Sequence, residues 1–105
     1  TSGRFQRAYI GIAGGGRPLP PRVAAAVGRD HGVEVMEVVA GSPAARAGIR
    51  SHDLIVELDG VAISDARDLQ RLMVGDVIGR SVDALVWRDG VLRTITVHPA
   101  ELTAA

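Results

Sequence analysis

The chain has 105 residues, no cysteine, and 12 basic residues balancing 12 acidic ones. That length suits one domain with its own core, while the missing cysteine excludes disulfides and thiol catalysis and the even charge excludes the broad positive field of a nucleic-acid or anionic-membrane binder. Residues are 47% apolar but only 3% aromatic, so the core is built from Val, Ile, Leu and Ala, and no apolar run reaches the roughly 20 residues that span a bilayer.

In chain order, Ala8 to Ala13 reads as a short strand, with Gly11 marking a bend or a close backbone approach. Gly14 to Pro21, rich in Gly and Pro, reads as a loop inside the domain. Pro21 opens a short helix that Gly28 ends, with Val23, Ala26 and Val27 as its apolar stripe. Gly32 to Ala40 is a Val-rich central strand. Ser42-Pro43 followed by Gly48 supplies a capping hydroxyl, a first-turn Pro and a terminal Gly, the marks of a short helix, after which Ile49 returns to the core. Asp53 to Leu58 is a strand, Asp59-Gly60 a tight turn, and Val61-Ala62-Ile63 a brief extension. Ser64 or Asp65 caps a further helix, expected to be the longer one, with Ala66, Leu69, Gln70, Leu72 and Met73 at helical spacing. Ser81 to Arg88 and Val91 to His98 flank Asp89-Gly90, the strongest local hairpin signal in the chain.

Several chemistries can be set aside. Gly11 to Arg17 has the glycine spacing of a phosphate loop, but Arg17-Pro18 stands where Lys and Ser or Thr are required. Ser51, His52 and Asp53 are triad residue types, yet chain neighbours cannot align nucleophile, base and orienting acid, so they read as turn residues. His31, His52 and His98 lack ligand spacing, and no metal or other cofactor is expected. Trp87 is expected to cover the sheet, and Asp65 and Asp68 to favour the positive end of their helix.

Three segments resemble one family in order. Tyr9-Ile10-Gly11-Ile12 resembles the carboxylate-binding loop of PDZ domains, Gly41 to Ile49 the Gly-Ser-Pro-Ala-x-x-Ala-Gly turn and helix of bacterial members, and Asp53 to Ile63 the strand and Asp-Gly turn that follow. The resemblance runs on through Asp68-Leu69, Gly79, Val82 and Arg88-Asp89-Gly90. It departs at Ser51-His52, where the family usually shows Gly before the Asp, and in the Pro-rich stretch after Gly16. It implies an α+β, PDZ-like fold: a small five- to six-stranded, partly open antiparallel sandwich or barrel with two main helices. Residues 1–7 would be a connector from an upstream protease domain, 8–99 the PDZ domain and 100–105 a tail.

The resemblance is to PDZ domains of HtrA/Deg trypsin-like serine proteases, so the segment itself is expected to be non-catalytic, and it shows no Gly-x-Ser-Gly nucleophile turn. The N–H groups of Ile10, Gly11 and Ile12 would receive a chain-terminal carboxylate, with Ile10 and Ile12 flooring a pocket for the last side chain. The guest would run antiparallel beside Ile12-Ala13-Gly14, with Ala66, Gln70 and Met73 as the opposite wall and Leu69 and Leu72 turned to the core. Tyr9, Ile10, Gly11, Ile12, Ala13, Gly14, Ala66, Gln70 and Met73 are thus the expected peptide-binding residues, and an aliphatic last residue the expected preference. Expected partners are C-terminal peptides or unfolded polypeptides and the upstream protease domain, in a bacterial periplasmic or envelope-associated, homotrimeric parent; nucleic acid and membrane insertion are not expected. The alternatives are the PDZ domain of a site-2-type metalloprotease, a C-terminal processing protease or a secretion component, or an assembly element whose groove is unused.

Overall fold

A computed structural model describes residues 7–74 and 77–101. The elements are β1 (Ala8–Tyr9), β2 (Ile12–Pro18), α1 (Pro21–Val27), β3 (His31–Val38), α2 (Pro43–Ala47), β4 (Leu54–Leu58), β5 (Val61–Ala62), α3 (Ala66–Leu72), β6 (Val82–Arg88), β7 (Val91–Val97) and β8 (Ala100–Glu101). Among the described residues, a six-stranded antiparallel sheet has the order β2-β3-β4-β6-β7 with β5 on β4, and β1 pairs with β8 in a separate two-stranded sheet. The α+β expectation of a small antiparallel sheet fold carrying helices therefore holds.

The long strands sort their side chains by alternation, which an irregularity between Ile55 and Glu57 resets in β4. Leu54 and Val56 of β4 join a layer with Leu19 and Val23, against which Ala24, Val27, Leu85, Trp87 and Leu92 pack. Ile55 and Leu58 enter the larger core with Val33, Val35, Ala44, Ile63, Val86 and Val97. Opposite residues share a face: Leu54 lies across from Trp87, and Ile55 from Val86. Both faces of β4 are covered, which is why its sequence is apolar at every position but Glu57.

The helix ends are chemically specified. Ser42 Oγ accepts from the Ala45 N–H at 3.2 Å, Pro43 occupies the first turn, and Gly48 closes α2 at φ 97°. At α3, Asp65 accepts from the Asp68 N–H at 3.0 Å, while the Asp68 carboxylate accepts from the Ser64 N–H at 2.8 Å. This reciprocal arrangement satisfies two donors at the start of a seven-residue helix and chooses Asp65 over Ser64 as the cap.

The sequence reading is corrected at several points. Gly14 to Pro18 is not a loop but the second half of β2, an outer strand paired with β3 from Ile12↔Val38 to Pro18↔His31. The register slips between Ala13 and Gly14, and a Cβ on Gly14 would run into the Glu34 carbonyl group, 3.1 Å from its carbon. A Cβ on Gly16 would meet the Ser64 carbonyl oxygen and lie 3.2 Å from the Asp65 Cβ. Glycine is needed there because backbone packs on backbone, a requirement that disguises the strand as a flexible stretch. The first expected strand is also broken, since Ile10 and Gly11 bend the chain between β1 and β2. In α1, Ala26 is exposed, and Ala24 packs with Val23 and Val27 instead. Helix α3, expected to be the longer one, exceeds the five-residue α2 but equals α1 at seven residues. Ala100-Glu101, expected within the tail, pairs with Ala8-Tyr9; residues 1–6 of the expected connector and 102–105 of the tail lie outside the described residues.

The Ser51-His52 turn precedes an Asp53 that is only 2% exposed. Its carboxylate accepts from Arg88 Nε at 2.7 Å and from the Arg50 N–H at 2.9 Å, while Arg88 also donates to the Gly48 carbonyl at 2.7 Å. The hydrogen bond with Asp53 raises the Arg88 pKa above its usual value, against the opposing effect of burial. One charge pair thereby ties the end of β6 to the end of α2 and the start of β4.

Candidate functional site: a groove beside an open strand edge

The site is organised by the bend between β1 and β2. Gly11 has φ 87°, a left-handed conformation that suits glycine, and a Cβ there would stand 2.6 Å from Ser42 Oγ and 3.0 Å from the Tyr9 hydroxyl. The Ile10 carbonyl accepts from the Ala44 N–H at 2.8 Å, and the Gly11 carbonyl accepts from the Val39 N–H at 2.8 Å. These two bonds aim the donors of the bend. In a trans peptide unit the C=O and N–H point in opposite directions. With the Ile10 carbonyl turned to α2 and the Gly11 carbonyl to β3, the N–H groups of Gly11 and Ile12 are turned the other way. No hydrogen bond among the described residues occupies the N–H of Ile10 or Gly11.

On that other side lies a cleft of about 380 Å³, lined by Arg7 to Gly14 from the strand side and by Ala66, Leu69 and Gln70 of α3 and its C-cap Met73. Its volume falls within the roughly 300–1,000 Å³ of ligand clefts. All nine residues expected at the site line it. Ile10 is buried at its floor and Ile12 packs partly against the core. Tyr9, Gly14, Ala66 and Met73 are half-buried, whereas Ala13 and Gln70 are exposed. Because β2 pairs only with β3, its far edge along Ile12, Ala13 and Gly14 faces the cleft without a strand partner among the described residues.

The sequence reading missed Arg7, Ala8 and Leu69. Leu69, expected in the core, does pack there, but it also lines the cleft. Positions 66, 69, 70 and 73 form one helical face, so spacing alone could have found it. Arg7 and Ala8 carried no such signal, because contact with the end of α3 places them: the Ala8 N–H donates to the Met73 carbonyl at 3.1 Å, and Arg7 bridges to Val74. No group of three or more His, Asp or Glu side chains suited to a metal is found among the described residues, and none of their helices is long and apolar enough to cross a membrane.

An outer strand facing a helix across a cleft, with a glycine bend presenting backbone donors at one end, is the geometry that strand addition uses. The PDZ domain family model matches residues 19–98, and the chain belongs to that family. Among curated proteins, the chain is 30% identical over 98 residues to the "Probable periplasmic serine endoprotease DegP-like" of Rhizobium meliloti (strain 1021), covering 91% of this chain and 19% of that protein. It is 38% identical over 65 residues to the "Serine protease Do-like HtrB" of Bacillus subtilis (strain 168), covering 61% of this chain and 14% of that protein. The chain thus spans at most about a fifth of these relatives' length. Among solved structures, the HtrA-type protease AlgW with tripeptide superposes with a TM-score of 0.77 at 25% identity, covering 98% of this chain and 34% of that one. The HtrA3 PDZ domain bound to a phage-derived ligand gives 0.68 at 25% identity, covering 92% and 88%. The segment is accordingly a PDZ domain, similar to those found in HtrA-type serine proteases.

Proposed function

We propose that the groove captures the carboxyl terminus of other polypeptides by strand addition, and that in a longer parent this capture feeds or regulates an HtrA-like serine endopeptidase of the bacterial periplasm. The observation that carries the reading is the pair of carbonyl bonds from Ile10 and Gly11 to Ala44 and Val39, which turn the Gly11 and Ile12 N–H groups toward the cleft. A terminal carboxylate brings a full negative charge to such donors without needing a cationic side chain. The guest backbone then extends along Ile12 to Gly14, and its last side chain enters the space between Ile10, Ile12 and Met73. These walls favour an aliphatic end, and Ala66 offers no hydroxyl or amide to select Ser or Thr two residues earlier.

The parent activity and location rest on the names of the relatives and on the peptide-bound structural neighbours. Net hydrogen bonds of about 1 kcal/mol each and a buried aliphatic side chain of roughly 1.5–3 kcal/mol, less ordering costs, lead to micromolar affinity, about −8 kcal/mol. The test is an NMR titration with a short Leu-terminated peptide. Amide shifts concentrated at Ile10 to Gly14 and along Ala66, Leu69, Gln70 and Met73 are expected, whereas shifts confined to the far face of the sheet would overturn the reading.

A further inference from the structure

The outer face of the β2-β3 pair carries a charge that the groove itself does not use. Ile12 and Val38 lie opposite each other and both pack against the core, so the next pair, Ala13 and Glu37, stands on the outward face. Both residues are exposed. The Glu37 carboxylate meets no cationic side chain among the described residues. Glu34, on the same strand, is engaged by Arg17 at 3.1 Å and by His52 at 3.5 Å.

A strand added along β2 would lie about 4.8 Å from it, and so roughly 10 Å from β3. Its last side chain points down toward Ile10 and Ile12, so alternation sends the preceding side chain up, beside Ala13. The single methyl of Ala13 leaves the way across β2 open. A short side chain at that ligand position stops above Ala13, but the long stem of Lys or Arg crosses it and brings its cation to Glu37.

We infer that Glu37 selects Lys or Arg at the penultimate position of the captured terminus, an inference that rests on the strand-addition reading and narrows it to termini ending in a basic then an aliphatic residue. The competing charge stands on the opposite wall: Arg67 of α3 is exposed, whereas Arg71 is held by Asp68 at 2.9 Å. If Arg67 dominated, an acidic penultimate residue would be preferred.

The experiment titrates the domain and its Glu37→Gln, Glu37→Lys and Arg67→Gln variants with three Leu-terminated peptides that differ only in Lys, Ala or Glu before the last residue. The Lys peptide is expected to bind roughly 1.5- to 5-fold more tightly than the Ala peptide, the range of an exposed ion pair, and the Glu peptide more weakly. The difference should vanish in Glu37→Gln, reverse in Glu37→Lys, persist in Arg67→Gln and shrink in high salt. Tight binding of all three peptides with no difference, or a preference for Glu abolished by Arg67→Gln, would overturn the inference while leaving strand addition intact. Failure of every peptide to bind the unmodified domain would overturn both.

Discussion

Gly11 rests directly on Ser42: a Cβ added to the glycine would stand 2.6 Å from the serine Oγ. The two residues lie 31 positions apart, one forming the bend between β1 and β2 and the other capping α2. The contact is braced on either side by the Ile10 carbonyl on the Ala44 N–H and the Gly11 carbonyl on the Val39 N–H. The bend thus takes its shape from α2 and from the end of β3.

Substitution Gly11→Ala should therefore damage binding more than folding. A side chain at φ 87° costs about 1–3 kcal/mol of stability, and relief of the clash with Ser42 must rotate the Gly11 and Ile12 donors. We expect at least a tenfold loss of affinity for a free C terminus, with the fold retained by circular dichroism. Unchanged affinity would show that the bend does not hold the guest.

Arg88→Ala addresses the buried pair. Asp53 is 2% exposed, so removing its partner leaves a carboxylate nearly out of water, at a cost of about 3–5 kcal/mol. Urea denaturation should record this loss. The double substitution Asp53→Ala with Arg88→Ala should cost less than the sum of the single ones, since it removes the stranded charge as well. Full additivity would contradict a direct energetic link.

Met73→Ala tests the pocket wall. The methionine is half-buried between the core and the cleft, so its truncation should weaken a Leu-terminated peptide by about 1 kcal/mol, roughly fivefold. An Ala-terminated peptide, which reaches that wall less, should lose little. Equal losses for both peptides would point to a general disturbance of α3, and denaturation of the variant would show it.

Much of this was legible because local chemistry and tertiary packing agreed. Ser42, Pro43 and Gly48 specify α2 by capping alone, and Asp59-Gly60 and Asp89-Gly90 take the positive φ values that tight hairpin turns require. All nine expected site residues meet in one cleft, although the family match itself begins at Leu19, after β2. What escaped reading depended on distant partners. Glycines at 14 and 16 are strand residues because β3 and the Ser64-Asp65 segment press on them, a pressure no local propensity reveals. Asp53 looked like a turn residue because its partner, Arg88, lies 35 positions away. Leu69 was divided too sharply between core and groove, since a helix lying along a cleft shares one residue between both.

The most direct measurement compares two otherwise identical Leu-terminated peptides, one with a free carboxylate and one amidated, by isothermal titration against this domain. Loss of the negative charge facing the Gly11 and Ile12 N–H groups should weaken binding by a factor of ten or more, given roughly 1.5–3 kcal/mol for hydrogen bonds to a charged group. Equal affinity for the two peptides would contradict the account.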